Sequence, residues 1–344
     1  MKNLNFEILA CPDCKTGLKK NSAEELKCSK CGRIFELDSQ RSNFISLMPN
    51  IISKEKETIM KWWGENMCDL DAYIKGSENI ERGTWAYFRN TDRKWFKWHH
   101  PWACTKFPIM HKWLDFDDLK GKKVLEIGCG VGTMFEQFAG TGVEIHGLDI
   151  NLPSCEMTWK RTDLFKLSGC VYQGDAENLP FKDGTFDFVF TYGVLHHTSD
   201  IQQAFDEMYR VLKPGGQFFM MLYNKDSINF WWHIIFLHGI LRGKLFKMTT
   251  KELTAARADR SYQGGAPRSD FLSKRELRKR LCKFSKIEIH PTGPVSQVRL
   301  LPWSKLPIFK IIPNLIARWI VDRIGMLNYI KGVKQYESGS CDQS

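Results

Sequence analysis

The stretch KVLEIGCGVGT at residues 123–133 decides the fold of this chain. Its first five residues form a short, mostly apolar run, which predicts a buried strand. Glycines at 128, 130 and 132 follow at once, and a glycine-rich turn between a strand and a helix lets a ligand approach the backbone closely. Dinucleotide-binding folds carry a similar turn, so this stretch alone predicts an α/β nucleotide-binding fold without naming the ligand.

Two acidic residues further along the chain narrow the choice of ligand. The apolar run 143–148 predicts a second strand that ends at Asp149, where a carboxylate can accept both hydroxyls of a ribose. That feature suits NAD and S-adenosylmethionine (SAM) equally. The next predicted strand, 170–173, leads to Asp175, whose carboxylate can accept a hydrogen bond from an adenine amino group. The dinucleotide fingerprint does not require this second acid, so the pair favours SAM.

The following residues continue an alternation of strands and helices. A fourth predicted strand, 186–191, is followed by Tyr192, and a helix over 200–212 carries its apolar residues on one face. The tetrapeptide KPGG at 213–216 ends that helix and turns the chain into a strand over 217–222. This order predicts a parallel, doubly wound sheet.

In this order, the four motifs within residues 121–223 resemble those of class I SAM-dependent methyltransferases. The stretch DAENLPFKDGTFDFVF, from Asp175 onward, is especially similar to the branch that includes the quinone-biosynthesis methyltransferases. The resemblance implies an α/β fold with a Rossmann-like, doubly wound, seven-stranded sheet. It also implies that the motif beginning at Glu126 holds the methionine part of SAM, while Asp149 binds ribose and Asp175 binds adenine. The candidate cofactor-binding residues are therefore Glu126, Gly128, Cys129, Gly130, Gly132, Asp149, Ile150, Asp175, Ala176 and Tyr192.

The candidate catalytic residues follow the fourth strand, at the edge where open α/β sheets bind their ligands. His196 and His197 are candidate general bases, and His196 is the nearer of the two to the strand. The same pair could instead cap the loop and pack under the adenine. Tyr192 could line the pocket of the methyl acceptor. Because SAM supplies the electrophile, a base is needed only for oxygen or carbon acceptors, and no metal is required.

Four cysteines near the N-terminus form two CxxC pairs, Cys11/Cys14 and Cys28/Cys31. Two such pairs can complete a tetrahedral site of four thiolates, which predicts a structural zinc ion, with an iron site or a redox dithiol as alternatives. Gly17 and Gly32 suit the tight turns beside the pairs. The segment resembles the zinc ribbon of small methyltransferase-activator proteins. It is also similar to the N-terminal zinc unit of bacterial 23S rRNA guanine methyltransferases, so an RNA substrate stays open.

The distribution of charge is uneven along the 344 residues. Residues 1–225 carry 29 Lys and Arg against 30 Asp and Glu, whereas residues 226–344 carry 21 against 9. A basic C-terminal third indicates either an anionic partner or a solvated basic face. The eleven cysteines, mostly scattered, favour a reducing compartment. No apolar run is long enough for a signal sequence or a spanning helix, which predicts a cytoplasmic protein.

The domain organisation follows from these patterns. We expect a zinc-ribbon module at 1–48, a Trp-rich helical lid at 49–115, the SAM-binding core at 116–225, helical insertions with the closing strands at 226–334, and a flexible tail at 335–344. The aromatic and basic residues around His99 could also stack bases. Two apolar and basic segments, 230–248 and 300–324, could form core, a substrate tunnel, a dimer interface or a surface that lies on acidic membrane.

The sequence therefore predicts a SAM-dependent methyltransferase that acts on a small-molecule or lipid-linked acceptor, such as a bacterial envelope glycan, a quinone or a natural-product intermediate. It predicts structural zinc, possible peripheral contact with the inner face of an acidic membrane, and a possible homodimer. Two alternatives remain. One is an rRNA base methyltransferase, although nucleic acid is the less favoured partner because the cysteine module is only modestly basic. The other is a non-catalytic SAM-binding scaffold.

Overall fold

A computed structural model of the chain describes residues 4–66, 80–261, 264–300 and 313–336. Its strands, in chain order, are β1 (Leu18–Lys20), β2 (Glu25–Cys28), β3 (Ile34–Glu36), β4 (Phe44–Ser46), β5 (Lys123–Ile127), β6 (Glu144–Asp149), β7 (Cys170–Gln173), β8 (Phe186–Tyr192), β9 (Leu212–Asn224), β10 (Arg260–Ser261), β11 (Gly264–Gly265), β12 (Phe271–Leu272), β13 (Phe284–Thr292) and β14 (Leu327–Lys334). Its α-helices are α1 (Lys54–Glu65), α2 (Trp85–His99), α3 (Thr133–Ala139), α4 (Leu152–Leu164), α5 (Ile201–Val211), α6 (Thr250–Ala255), α7 (Lys274–Arg280) and α8 (Asn314–Ile324).

One large mixed sheet organises the molecule. Its strand order is β13-β14-β9-β8-β5-β6-β7-β4, and β12 pairs with the end of β9. Strands β5 to β9 run parallel, while β14 is antiparallel to both of its neighbours. Seven of these strands form the doubly wound sheet that the sequence predicts, and its fold class is confirmed. The β4 and β12 pairings extend that sheet beyond the expected seven.

The parallel strands are buried because apolar side chains cover both faces of the sheet. All of β5 after its first residue is buried, as are five of the six residues of β6. Helix α5 packs one apolar face against this core, and Asp200 caps its first turn by accepting hydrogen bonds from the backbone N–H groups of Gln202 and Gln203. Strands that are covered on both faces consist of continuous apolar residues, which is why they could be predicted from the sequence.

The N-terminal module packs against the core and adds one strand to the large sheet. Strands β1 to β3 form a small antiparallel sheet of their own. Backbone hydrogen bonds join this module to the core, from the N–H of Ala10 to the carbonyl of Pro180 and from the N–H of Lys182 to the carbonyl of Ile8. Strand β4 then pairs in parallel with β7. The segment predicted as a separate module over 1–48 therefore supplies the outermost strand of the main sheet.

Helices α1 and α2 lie within residues 49–115, the segment predicted as a lid, and we refer to them as the lid helices. A buried ionic cluster joins α2 to the core. Arg161 on α4 is fully buried and donates to Asp92 of α2 at 2.9 Å and to Glu136 of α3 at 3.1 Å. Arg89 of α2 pairs with the same two carboxylates. Two guanidinium groups and two carboxylates thus balance their charges where the lid meets α3 and α4.

The C-terminal third carries the helical insertions. Residues Asn229–Leu241 form a π-helix after β9, and α8 precedes the closing strand β14. Of the predicted apolar segment 300–324, residues 301–312 lie outside the described residues, as does most of the tail predicted at 335–344. Across the part of the chain that is described, the helices are too short or too polar to span a lipid bilayer.

Candidate cofactor and acceptor cavity

A cavity of about 580 Å³ opens at the carboxyl ends of the parallel strands, within the range typical of small-molecule sites. It lies beside β5, where the strand order reverses direction, which is the usual ligand site of open α/β sheets. Most of the cofactor-binding residues that the sequence predicted line this cavity: Glu126, Gly128, Cys129, Gly130, Asp149, Ile150, Asp175, Ala176 and Tyr192. Residues distant in sequence are thus brought to one edge of the sheet.

The glycine turn leaves room on its cavity side. Gly130 has a φ of +55°, and no heavy atom lies within 4 Å of the position that a Cβ would occupy. Gly128 is different, because a Cβ there would collide with the side chain of Val194. Gly132, predicted to bind the cofactor, instead faces Thr158 and Arg161 of α4. Its glycine permits close packing and a left-handed φ at the start of α3.

Asp149 is held in place by the glycine turn. Its Oδ2 accepts the backbone N–H of Gly130 at 3.0 Å, and its Oδ1 accepts the backbone and side-chain N–H groups of Asn151. Burial raises the pKa of Asp149 to about 6, although these hydrogen bonds favour the charged form. The carboxylate still has lone pairs that can accept further donors, such as two hydroxyl groups.

Glu126 presents a second carboxylate to the cavity from the end of β5. It is buried, and its Oε2 has no hydrogen-bond partner among the described residues. Burial raises the pKa of Glu126 well above its ordinary value, and the nearby charge of Asp149 raises it further. A cationic ligand group would remove the cost of this unpaired buried acid.

Asp175 meets a lysine from the lid. The Nζ of Lys56 on α1 donates to Asp175 at 2.5 Å and lies 2.9 Å from a carboxylate oxygen of Glu177. Although burial disfavours its charge, the two carboxylates raise the pKa of Lys56 above its ordinary value. Asp175 also accepts hydrogen bonds from the backbone N–H of Glu177 and from Asn178. The lid therefore contacts the acid that was predicted to bind adenine.

The other side of the cavity is mainly aromatic. Its walls come from α1 and α2, the end of β8, β9 and the start of β14, and include Trp63, Trp95, Trp98, His99, Tyr192, Met221, Tyr223 and Met326. In the sheet order, β9 and β14 lie beyond β8, away from the strands that carry the predicted cofactor acids. A ligand with an apolar body would find its contacts on this side, which we call the acceptor side.

A chain of hydrogen bonds crosses the acceptor side. The Nδ1 of His99 donates to the carbonyl of Trp95 at 2.7 Å, which leaves its Nε2 to accept from the hydroxyl of Tyr192 at 2.9 Å. The hydroxyl of Tyr192 in turn lies 2.8 Å from that of Tyr329. Burial lowers the pKa of His99 to about 4 and raises that of Tyr192. His99 is therefore a neutral acceptor at the end of a chain of hydroxyl groups.

The two histidines that were candidate bases occupy different places. His197 lines the cavity, where its ring lies 4.8 Å from that of Trp63. His196, which the sequence ranked as the nearer to the strand, is fully buried behind it with both ring nitrogens unpartnered within the described residues. Burial lowers the pKa of His196 well below its ordinary value. The structure thus reverses the expected order, since His197 is the histidine that faces the cavity.

The four N-terminal cysteines meet as the spacing predicted. Their sulfur atoms lie within 4.8 Å of one another, with 3.7 Å between Cys11 and Cys31 and 3.4 Å between Cys14 and Cys28. These separations fit a tetrahedral ion with sulfur ligands at roughly 2.3 Å. Gly32 takes the expected left-handed φ, but at the first pair Lys15 takes it instead of Gly17. The donor set suits zinc in a structural role.

Among the polar residues that line the cavity, sequence reasoning missed Lys56 and Asp259 and overlooked the hydrogen bonds of His99. Lys56 and Asp259 lie outside the glycine and acid motifs, on a lid helix and in an insertion. His99 was noticed only as part of an aromatic and basic run. A buried polar side chain gives no periodic signal of its own, so only the tertiary arrangement reveals these contacts.

Comparison with known protein families defines the class of this fold and site. Residues 125–220 match the family model described as a methyltransferase domain. Residues 2–38 match the model described as Trm112p-like protein. The chain therefore contains a methyltransferase domain, preceded by a Trm112p-like domain with four closely spaced cysteines.

Individual relatives match the central part of the chain. Malonyl-[acyl-carrier protein] O-methyltransferase of Erwinia billingiae is 34% identical over 110 residues, which are 32% of this chain and 42% of that protein. Demethylmenaquinone methyltransferase of Paenarthrobacter aurescens is 32% identical over 120 residues, 34% of this chain and 46% of that protein. The chain thus spans less than half the length of these two relatives.

Among solved structures, one similar chain is phosphoethanolamine N-methyltransferase 2 of Haemonchus contortus, in complex with phosphomonomethylethanolamine and S-adenosylhomocysteine. It is 18% identical and has a TM-score of 0.48. The match covers 84% of this chain and 61% of that one.

Proposed function

We propose that this protein transfers a methyl group from SAM to a small-molecule or lipid-linked acceptor. Examples of such an acceptor are a bacterial envelope glycan, a quinone or a natural-product intermediate. The observation that carries the proposal is a single cavity with buried carboxylates on one side and aromatic walls on the other. Such a cavity accommodates a charged, adenosine-bearing donor beside an apolar acceptor.

Each end of SAM has a matching group in the cavity. The unpaired carboxylate of Glu126 suits the ammonium of the methionine part, and that of Asp149 suits the ribose hydroxyls. Asp175 suits the adenine amino group, and the Nζ of Lys56 donates to the same carboxylate and holds it in place. When bound, SAM supplies the electrophilic methyl group, and the protein orients the acceptor and takes up a proton where the acceptor requires it.

Tyr192 and the histidines are the proposed residues of the acceptor side. The hydroxyl of Tyr192 is held between His99 and Tyr329, so it is positioned to contact an acceptor oxygen. His197 faces the same space and His196 supports it from behind. The acceptors of two relatives, an acyl-carrier-protein-bound malonyl group and demethylmenaquinone, agree with an acceptor that has an apolar or carrier-linked body.

Exposed apolar side chains on the C-terminal insertions support a lipid-linked substrate. We call them together the membrane-facing surface. Its exposed apolar residues are Trp231, Ile240, Leu241, Phe246, Leu315, Ile316 and Trp319. Arg242, Lys244, Lys247 and Arg323 lie among them in the chain. Exposed aromatic and aliphatic side chains with interspersed cations are typical of segments that lie on acidic lipid. We propose that this surface contacts the inner face of an acidic membrane.

Experiments can distinguish the proposed function from the two alternatives. An rRNA base methyltransferase is less favoured, because the excess of basic residues lies in the C-terminal third rather than in the Trm112p-like domain. Transfer of label from SAM into rRNA, without transfer into any lipid or small molecule, would establish that alternative. A chain that binds SAM and never consumes it would be a scaffold.

The first experiment measures SAM affinity by calorimetry. We expect Asp149→Ala and Gly130→Arg each to abolish binding, because one removes the ribose acceptor and the other fills the open side of the glycine turn. Asp163→Ala is a matched control on the exposed end of α4. Gly184→Arg is the control for backbone strain, since Gly184 has a φ of +58° and equally open surroundings. Unchanged affinity in both cavity variants would refute the SAM site.

The second experiment identifies the acceptor. Host extracts are incubated with the protein and methyl-labelled SAM, and untargeted mass spectrometry detects the mass gain of one methyl group. We expect labelled products in the lipid or small-molecule fraction, and a Tyr192→Phe variant should form them at a lower rate with SAM affinity unchanged. Label found only in RNA, or SAM consumed equally without the protein, would contradict the proposal.

A further inference from the structure

Three side chains with metal-ligating atoms meet on the acceptor side, and nothing in the methyltransferase motif requires all three. They are His196, His197 and Asp259, and one ligand atom from each lies within 4.8 Å of the others. The two histidines follow β8, while Asp259 follows α6 in the C-terminal insertion. His197 and Asp259 also line the cavity.

His197 has the orientation of a metal ligand. Its Nδ1 lies 2.5 Å from the carbonyl oxygen of Arg268, and a carbonyl can only accept, so Nδ1 carries a proton. The other nitrogen, Nε2, lies 3.1 Å from Oδ2 of Asp259. In the neutral ring Nε2 holds a lone pair, so two electron-rich atoms face each other. Metal-bound histidines commonly donate their second N–H to a backbone carbonyl in this way.

Asp259 is oriented from its other side. Its Oδ1 accepts the hydroxyl of Tyr223 at 2.7 Å, whereas Oδ2 has no hydrogen-bond partner among the described residues. The carboxylate therefore points its free oxygen toward His197. Hydrogen bonds of this kind fix carboxylates that bind metals.

His196 supplies the third, independent observation. Its ring is fully buried, 4.2 Å from the ring of His197, and within the described part of the chain neither nitrogen has a hydrogen-bond partner. Leaving a buried imidazole without any partner is costly. An ion between the three side chains would use a lone pair of His196 and remove that cost.

We propose that His196, His197 and Asp259 bind a divalent transition-metal ion beside the acceptor side of the cavity. Two imidazoles and one carboxylate are a donor set that zinc and ferrous iron accept, and three protein ligands leave a coordination position open. That position can take an oxygen of the acceptor and orient it. This use of the ion rests on the proposed methyltransferase function, whereas ion binding itself does not.

The test uses the full chain with its cysteine site already filled by zinc and adds Co²⁺ as the probe. We expect one further ion per chain, with a visible d–d spectrum that lacks the sulfur-to-cobalt charge-transfer band of a thiolate site. Metal analysis after gel filtration checks the stoichiometry. Because the readout is metal binding, the two proposals can fail separately. A chain that binds cobalt but has no methyltransferase activity would contradict the proposed function and still agree with the metal site.

The variants are chosen to keep the packing. His197→Gln and Asp259→Asn remove a ligand at nearly constant volume, and we expect cobalt affinity to fall by at least about tenfold in each. Tyr223→Phe leaves all ligands in place and should weaken binding by roughly 10-fold. His290→Gln is the matched control, because His290 is an exposed histidine 3.2 Å from the carboxylate of Glu288. It should leave cobalt binding unchanged.

Circular dichroism must show that each variant is folded. If a ligand variant does not fold, Tyr223→Phe still tests the site, because it leaves all three ligands in place. The proposal is overturned if the zinc-loaded chain takes up no cobalt. It is equally overturned if uptake is the same in the Asp259→Asn and His290→Gln variants. In those cases His197 and Asp259 form a plain imidazolium–carboxylate pair.

Discussion

At the scale of single residues, the carboxylate of Asp149 links ligand binding to pH. Burial raises its pKa to about 6, above the ordinary value of 3.8 for the side chain. The charged form accepts the ribose hydroxyls, so SAM binding should weaken as the pH falls through 6. At pH 5 about a tenth of the carboxyl groups stay ionised, which predicts roughly tenfold weaker binding than at pH 8. Calorimetry across this range checks the prediction.

The stability effect of Asp149 has the opposite sign, which gives a control for the pH experiment. Because its pKa is higher in the folded chain than in the unfolded one, its contribution favours folding at low pH and is lost as the pH rises through 6. Weaker SAM binding at pH 5 therefore does not come from unfolding caused by this group. An Asp149→Asn variant should show weak binding with a flattened pH dependence; an unchanged pH profile would count against Asp149 as the titrating group.

Single residues also mark the limit of prediction from sequence. Glu126, Asp149 and Asp175 were predictable because each lies at or just after the carboxyl end of a strand, at the same edge of the sheet. Lys56 and Asp259 were not, because they reach the cavity from a lid and an insertion whose packing no local pattern encodes. Which of His196 and His197 lines the cavity also depends on how the turn after β8 packs. Both side chains are buried and neighbouring, but only that of His197 lines the cavity.

At the scale of elements, the ionic cluster around Arg161 holds the lid helix α2. Replacing Arg161 by Gln would leave the buried Asp92 and the partly buried Glu136 with only Arg89 beside them. We expect the free energy of unfolding to fall by roughly 3–5 kcal/mol, since breaking a buried ion pair from one side leaves uncompensated charge. Urea denaturation measures this change.

Arg89→Gln is the matched comparison for that variant. The side chain of Arg89 is one-third exposed, and its loss leaves both carboxylates paired with Arg161. The destabilisation should therefore be clearly smaller, in the range of partly solvated pairs. Equal losses in the two variants would mean that Arg161 is not the centre of the cluster.

The Trm112p-like domain allows a second element-scale prediction. We expect the Cys28→Ser variant to lose one equivalent of zinc per chain and to melt at a lower temperature than the wild type, because the ion holds both CxxC pairs together. Metal analysis and calorimetry measure both effects. Cys282→Ser, at an exposed cysteine outside this site, is the control. A folded wild type without zinc would contradict the four-thiolate site.

The regular elements of the core were the best predicted part. Apolar runs bounded by glycines and acids gave β5 to β8 and helix α5 with small shifts at their ends, because burial on both faces leaves a strong pattern. The prediction was wrong at the start of β9, which begins at Leu212 and includes the KPGG stretch that was predicted as a turn. Strand β4 was not predicted to join the large sheet. Only three residues pair there, and nothing in Phe44–Ser46 tells whether the partner is the small sheet or β7. The π-helix at Asn229–Leu241 could not be predicted either, because an apolar run does not specify the backbone hydrogen-bond pattern of a helix.

At the scale of the whole molecule, the membrane-facing surface predicts binding to lipid vesicles. The chain should sediment with acidic vesicles, bind neutral ones weakly, and dissociate as salt is raised, because the cations are screened. A Phe246→Glu variant should bind about tenfold less, since Phe246 is 90% exposed and would lose its insertion into the bilayer.

Ile51→Glu is the control for that variant, because Ile51 is 86% exposed but lies between the cysteine module and the lid. Its vesicle binding should equal that of the wild type. Equal sedimentation with neutral and acidic vesicles, or no effect of Phe246→Glu, would argue against this surface. If salt-sensitive binding were seen with RNA rather than with vesicles, the basic third would serve nucleic acid.

The position of β4 has a consequence for how the chain is made. Strand β4 leaves the ribosome long before its partner β7, since Phe44 pairs with Val171. The cysteine-rich ribbon can close on its metal early, but β4 must wait, with an open hydrogen-bonding edge, until β7 has been synthesised. Contacts between such distant segments form late. We therefore expect the final docking of this strand to be among the last steps of folding.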